Sequence, residues 1–217
     1  MKIVVPIMPK TLAELATIDE RKFTAVDMIE WRADFMTFSE LEQAARDVKI
    51  KFSKHEIIFT YRTEDKVETQ ISATDYAALI ERFAADFDYI DVEKFTFPDV
   101  VLPENAIFSY HDFDQIPERL PDILSDMIAE NPAVVKFAGM PRDFADVLRL
   151  MQDTLAASEK APHQTFVTMA MGKIGQVTRL MGDEFGSSWT FATVEAASAP
   201  GQLSVADILT LTKILEN

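Results

Sequence analysis

The sequence predicts an α/β protein built as a (β/α)8 TIM barrel that fills residues 1–217 as a single domain. Three observations lead there. Eight short runs rich in Val, Ile, Phe, Tyr and Thr recur along the 217 residues, at a spacing of roughly 27, about one minimal strand–loop–helix unit. Segments of helical spacing lie between them, which implies parallel strands joined by crossovers. The first run is followed by MPKTLAE instead of a G-x-G-x-x-G turn, and an open doubly wound sheet would take fewer strands.

The strand runs are 3–8 (IVVPIM), 28–33 (MIEWRA), 56–61 (EIIFTY), 89–95 (YIDVEKF), 106–111 (AIFSYH), 133–138 (AVVKFA), 164–170 (QTFVTMA) and 188–194 (SWTFATV). Helices are expected over 11–23, 39–50, 74–87, 117–130, 142–156 and 203–215. In the second of these, Ser39 is placed to cap, and Leu41, Ala44, Ala45 and Val48 share one face. The stretch 172–186 is glycine-rich and only partly helical in pattern. All six glycines fall after residue 138, in the predicted loops after the sixth, seventh and eighth strands. Glycine permits left-handed backbone or close approach to a ligand, so those loops read as a working face.

Composition narrows the function. There are 36 acidic against 21 basic side chains, a formal net charge of -15. That balance argues against a nucleic-acid binder or a protein of anionic membranes, since both need a basic face. A few arginines in one pocket can still receive an anionic small molecule. With no cysteine, disulfides, thiolate metal sites and a cysteine nucleophile drop out. No apolar run approaches the ~18 residues of a membrane span. The expectation is a soluble cytoplasmic protein.

In a barrel, chemistry collects at the C-terminal ends of the strands. The second strand ends Glu30-Trp31-Arg32-Ala33-Asp34, and Glu30 and Arg32, two apart, share a face. Arg62 follows the third strand, a guanidinium fork suited to a carboxylate. Asp91 and Glu93 share a face of the fourth, where they could anchor a base, bind a metal or neutralise arginines. Of three histidines, only His111 closes a strand at this end. Lys136 stands within the apolar sixth strand. Burying it charged costs several kcal/mol unless it is paired, and desolvation with nearby cations such as Arg62 or Arg179 would lower its pKa. A neutral amine is what Schiff-base chemistry needs. Arg179 follows the seventh strand, and Ser198 and Gln202 lie in a small-residue loop after the eighth.

With these residues assembled, the chain resembles the type I 3-dehydroquinate dehydratases, Schiff-base enzymes of the shikimate pathway. The matching segments are EWRAD (30–34), FTYR (59–62), YIDVE (89–93), SYHDF (109–113), VVKFAGMP (134–141), TMAMGKIGQVTRLMGDEFGS (168–187) and ASAPGQLS (197–204). The resemblance implies that Lys136 forms the imine with 3-dehydroquinate and that His111 serves as general base, then general acid. It implies that Glu30, Trp31, Arg32, Arg62, Arg179, Ser198 and Gln202 hold the substrate. No metal or organic cofactor is implied, and a homodimer is expected. The chain departs from the pattern at Pro6, near a place where relatives can carry a serine. The stretch 63–69 (TEDKVET) does not align cleanly, so Glu64, Glu93 or another acid could orient His111. Other readings of the same residues are a class I aldolase, a divalent-metal enzyme using Glu30, Asp91, Glu93 and His111, or a barrel that only binds.

Overall fold

A computed structural model describes residues 1–64, 71–194 and 198–215. Eight parallel strands succeed one another around the molecule: β1 (Lys2–Ile7), β2 (Met28–Arg32), β3 (Glu56–Thr60), β4 (Tyr89–Val92), β5 (Ala106–Asp112), β6 (Val134–Gly139), β7 (Thr165–Ala170) and β8 (Trp189–Thr193). The helices α1 (Leu12–Thr17), α2 (Leu41–Lys51), α3 (Ala73–Phe83), α4 (Leu120–Ala129), α5 (Phe144–Lys160), α6 (Gln176–Leu180) and α7 (Val205–Leu215) are interleaved with them. The ladder runs β7-β6-β5-β4-β3-β2-β1-β8, and the two-residue β9 (Leu203–Ser204) adds to β8.

The sheet closes between β7 and β8 with the help of a side chain. The Ser188 amide donates to the Phe166 carbonyl at 2.7 Å. The Ser187 hydroxyl accepts from the Thr168 amide at 2.9 Å and donates to the Thr168 carbonyl at 3.1 Å. A serine thus stands in for a rung where the strands splay. Pro6 is tolerated in β1 for a related reason. Ile3 exchanges bonds with Asp27 on the β2 side, so by alternation the missing N–H of Pro6 faces β8. That ladder already ends at Val4 opposite Phe191.

Period-two alternation sorts the strand residues into two layers. Val4, Met28, Ile58, Ile107, Val134, Val167 and Trp189 are buried together as a plug inside the barrel. The intervening residues meet the helices: Trp31, Phe59 and Phe87 form one cluster there, with ring centroids 5.5 and 5.8 Å from Trp31. Buried Leu41, Ala44, Ala45 and Val48 carry α2 onto this layer, as its spacing predicts.

Several boundaries differ from expectation, each with a local cause. The first helical segment breaks at Ile18, and a 3-10 turn (Glu20–Phe23) restarts under an Asp19 cap. Ser39 does not cap α2, because a 3-10 turn (Phe38–Glu40) leads directly into that helix. β4 stops at Val92 since the Glu93 carbonyl turns to accept from the amides of Thr96 and Phe97. Gly182 and Gly186 are not at the working face: they lie before β8, at the opposite end, against Met1 with Ser187 and against Ser158 respectively. No helix among the described residues is long and apolar enough to cross a membrane.

Candidate functional site

Two residues beyond four of the plug positions, the same alternation delivers polar groups to the barrel mouth. Met28 leads to Glu30 and Arg32, Ile58 to Thr60 and Arg62, Ile107 to Ser109 and His111, and Val134 to Lys136. A pocket there is lined by Glu30, Arg32, Arg62, His111, Lys136 and Arg179, with Ser198 and Gln202 on its rim. Trp31 is the exception among the expected substrate residues. Being between Glu30 and Arg32, it points to the outer layer, where it is fully buried against Phe59 and Phe87 and touches no part of the pocket.

Lys136 is 3% exposed. Its Nζ donates to Asp91 Oδ2 at 2.9 Å and to Glu30 Oε1 at 3.4 Å, and lies 4.5 Å from the centre of the Phe191 ring. Asp91 is oriented from its other oxygen, which accepts from Arg62 Nη2 at 2.8 Å and from the Ser109 hydroxyl at 2.6 Å. Although burial opposes its charge, Arg62 and then Lys136 hold its carboxyl well below the usual carboxylate range. The amine is therefore paired with Asp91 and Glu30, not Glu93.

The acid beside His111 is Glu64. His111 Nδ1 and Glu64 Oε2 are 2.9 Å apart. Burial, with Glu93 and Asp91 as like charges and against the pull of Arg62, raises the Glu64 carboxyl to about 8. Burial, then Arg62 and Lys136, pushes His111 well below its ordinary value. The Phe113 ring stacks on the imidazole at 6.2 Å between centroids.

The three arginines differ in what they can offer. Arg32 forks onto Asp34 at 2.8 and 3.0 Å. Arg62 is held by Asp91, by Glu93 at 2.7 Å and by Ser109 at 3.0 Å. Arg179 is 2% exposed and has no carboxylate partner among the described residues. Its Nη1 reaches Met169 Sδ at 3.3 Å and the Phe191 carbonyl at 3.4 Å, its Nη2 the Pro200 carbonyl at 3.4 Å, and its Nε nothing. Desolvation lowers its pKa to about 10, leaving it charged at neutral pH. A buried fork with no carboxylate beside it among the described residues can accept an anion at the pocket wall.

Ser198 and Gln202 bond to each other: the Ser198 amide donates to Gln202 Oε1 at 2.7 Å, and Gln202 Nε2 donates to the Ser198 hydroxyl at 2.8 Å. Their loop is seated on the loop after β7 by the Gly172 amide, which donates to Pro200 O at 3.1 Å. Gly201 adopts φ +81, and a Cβ there would stand 2.2 Å from the Gly172 carbonyl oxygen. Ala197, the first residue of the 197–204 segment, lies outside the described residues, as do residues 65–69 of the 63–69 stretch.

Sequence reasoning passed over Ser109, Asp34 and Phe191 as site components. Ser109 and Phe191 were reachable by stepping two residues up from Ile107 and Trp189. The alternative reading of a divalent-metal enzyme needs Glu30, Asp91, Glu93 and His111 to converge. Among the described residues no three His, Asp or Glu side chains converge as ligands, because Glu93 turns to Thr63, Asp91 to Lys136 and His111 to Glu64.

Comparison with known proteins places the chain in a family. The family model described as type I 3-dehydroquinase matches residues 3–217. The chain is 43% identical to a 3-dehydroquinate dehydratase of Streptococcus mutans, covering 100% of this chain and 99% of that one. It is 43% identical to one of Streptococcus thermophilus over the same shares. Among solved structures, the type I 3-dehydroquinate dehydratase of Clostridium difficile, with covalently modified comenic acid, superposes with a TM-score of 0.87 at 29% identity, over 99% of this chain and 92% of that one. The 3-dehydroquinate dehydratase of Geobacillus kaustophilus gives 0.86 at 28%, over 99% and 91%. A full-length family match, close curated relatives and a shared barrel lead to one conclusion: the chain belongs to the type I 3-dehydroquinase family.

Proposed function

We propose that this chain dehydrates 3-dehydroquinate to 3-dehydroshikimate in the shikimate pathway, through an imine on Lys136 with His111 as acid and base. The observation that carries the reading is the convergence on one pocket of a buried lysine, a His–Glu pair and an arginine that has no carboxylate partner among the described residues.

The Lys136 amine adds to the substrate ketone, and loss of water leaves a protonated imine. That group is an electron sink, so His111 Nε2 can remove a proton from the adjacent carbon and leave an enamine. The enamine electrons then expel the hydroxyl on the next carbon. His111 returns its proton to that leaving group, which departs as water. Hydrolysis of the product imine restores the amine, and the net change is loss of one water. The imine supplies the sink, so the chemistry calls for no added cofactor.

Arg179 receives the substrate carboxylate in this scheme, while Glu30, Ser198 and Gln202 bind hydroxyls. Arg32 and Arg62 border the substrate, but their charges already serve Asp34 and the Asp91–Glu93 pair. Their work is to fix those carboxylates. Exposed Phe144, Leu148 and Leu155 along α5 support a homodimer, which a sedimentation mass near 24.5 kDa would reject. Water-soluble substrate and product fit a cytoplasmic location.

The test is to incubate the protein with 3-dehydroquinate, reduce with borohydride and map the adduct by mass spectrometry. A substrate-sized addition on Lys136, absent in Lys136→Ala, is expected. Dehydration by Lys136→Ala at the normal rate overturns the mechanism.

A further inference from the structure

Glu93 is wholly buried one residue past β4 and does not line the pocket, yet it organises the segment that does the acid–base work. β3 ends at Thr60, so the chain leaves the ladder before it reaches Glu64. Over residues 62–64, four donors converge on the Glu93 carboxylate. They are Arg62 Nη1 at 2.7 Å, the Thr63 amide at 2.9 and 3.1 Å, the Thr63 hydroxyl, and the Glu64 amide at 3.4 Å. Glu93 is itself anchored. Its amide donates to the Tyr76 hydroxyl at 3.0 Å, and Tyr76 stacks on Phe97 with centroids 3.9 Å apart. Its carbonyl accepts from the Thr96 and Phe97 amides.

We propose that Glu93 is a positioning residue of the reaction: by gripping residues 62–64 it aligns the Glu64 carboxylate on Nδ1 of His111. The inference rests on the dehydratase reading above. Only an ionised carboxylate can accept from all four donors, because an amide in its place would turn an N–H toward the Thr63 amide. Misplacement of a catalytic group by about 1 Å can cost on the order of 100-fold in rate, so a grip this far from substrate registers in turnover more than in binding.

The experiment is a double-mutant cycle of Glu93→Gln with Glu64→Gln, read in kcat, KM and the pH profile. Glu93→Gln is expected to lower kcat by about 100-fold with little change in KM. Applied to the Glu64→Gln background it should add almost nothing, since both act through one contact. Among the described residues, the charged and titratable groups facing Glu64 are Arg62, Glu93, Asp91 and His111. Removing the Glu93 charge is therefore expected to move the ascending pH limb to lower pH. Losses that add across the cycle, or a KM effect alone, overturn the proposal.

Should Glu93→Gln fail to fold by circular dichroism, Thr63→Val removes one donor and leaves Glu93 in place. It is expected to lower kcat by less and, since the Glu93 charge remains, to leave the pH limb in place; an unchanged kcat overturns the grip. Imidazole 15N shifts of His111 provide a reading that needs no turnover. They should differ between the wild type and Glu93→Gln or Thr63→Val, and identical shifts overturn the proposal. A wild-type chain that does not dehydrate 3-dehydroquinate sinks the dehydratase reading instead, while the 15N comparison still decides the role of Glu93.

Discussion

His111 Nδ1 sits 2.9 Å from Glu64 Oε2, and the surroundings work against the charged form of each. Burial raises Glu64 to about 8 and depresses His111, so at neutral pH the pair holds its proton on the carboxyl. A base needs its lone pair on Nε2, which requires Nδ1–H to donate to an ionised Glu64.

The sign follows from the raised pKa. Glu64 is protonated below about 8 and ionised above it, so kcat/KM of the free enzyme should rise with pH through that region. Glu64→Gln, which cannot titrate, should lose the limb, and a limb that persists there would assign it to another group.

Among the described residues, Arg179 is the charged fork in the pocket without a carboxylate partner. Arg179→Lys keeps the charge but loses the planar bidentate geometry. A hydrogen bond to a charged group contributes about 1.5–3 kcal/mol, so KM should rise about 10- to 100-fold. Steady-state kinetics checks this, and an unchanged KM would place the carboxylate elsewhere.

Gly201 combines φ +81 with a Cβ position 2.2 Å from the Gly172 carbonyl oxygen. Gly201→Ala must therefore lift the Ser198–Gln202 loop off its seat. Left-handed backbone alone costs an alanine about 1–2 kcal/mol, and product affinity measured by calorimetry should fall about tenfold or more. Wild-type affinity in this variant would show that the loop contributes nothing to binding.

Asp143 caps α5 through the amides of Ala145 and Asp146, at 2.9 and 3.1 Å. Asp143→Ala should destabilise the protein by about 1 kcal/mol and lower Tm by about 2–4 °C. Turnover below Tm should be unaffected, because the cap is outside the pocket. A thermal scan with a kinetic control at 25 °C separates the two effects.

Much of this was legible in the sequence because it depends on local chemistry. Alternation of strand and helix patterns gave the barrel, and period two placed Glu30, Arg32, His111 and Lys136 at its mouth. The same period excludes Trp31, which stands between two inward residues. The resemblance of the EWRAD segment covers Trp31 together with its neighbours, and the pleat separates them.

What the sequence by itself determined is the set of reactive side chains and the end of the barrel they occupy, since the pleat and the strand–helix order follow from local pattern. Which partner each one takes was decided only by tertiary structure. Glu64 lies 47 residues before His111, and Asp91 lies 45 before Lys136. Arg32 and Arg62 have carboxylates beside them, while Arg179 has none among the described residues. Pairing depends on the stagger of neighbouring strands and on buried carboxylates competing for the same donors. Both are long-range balances that no short window of sequence contains.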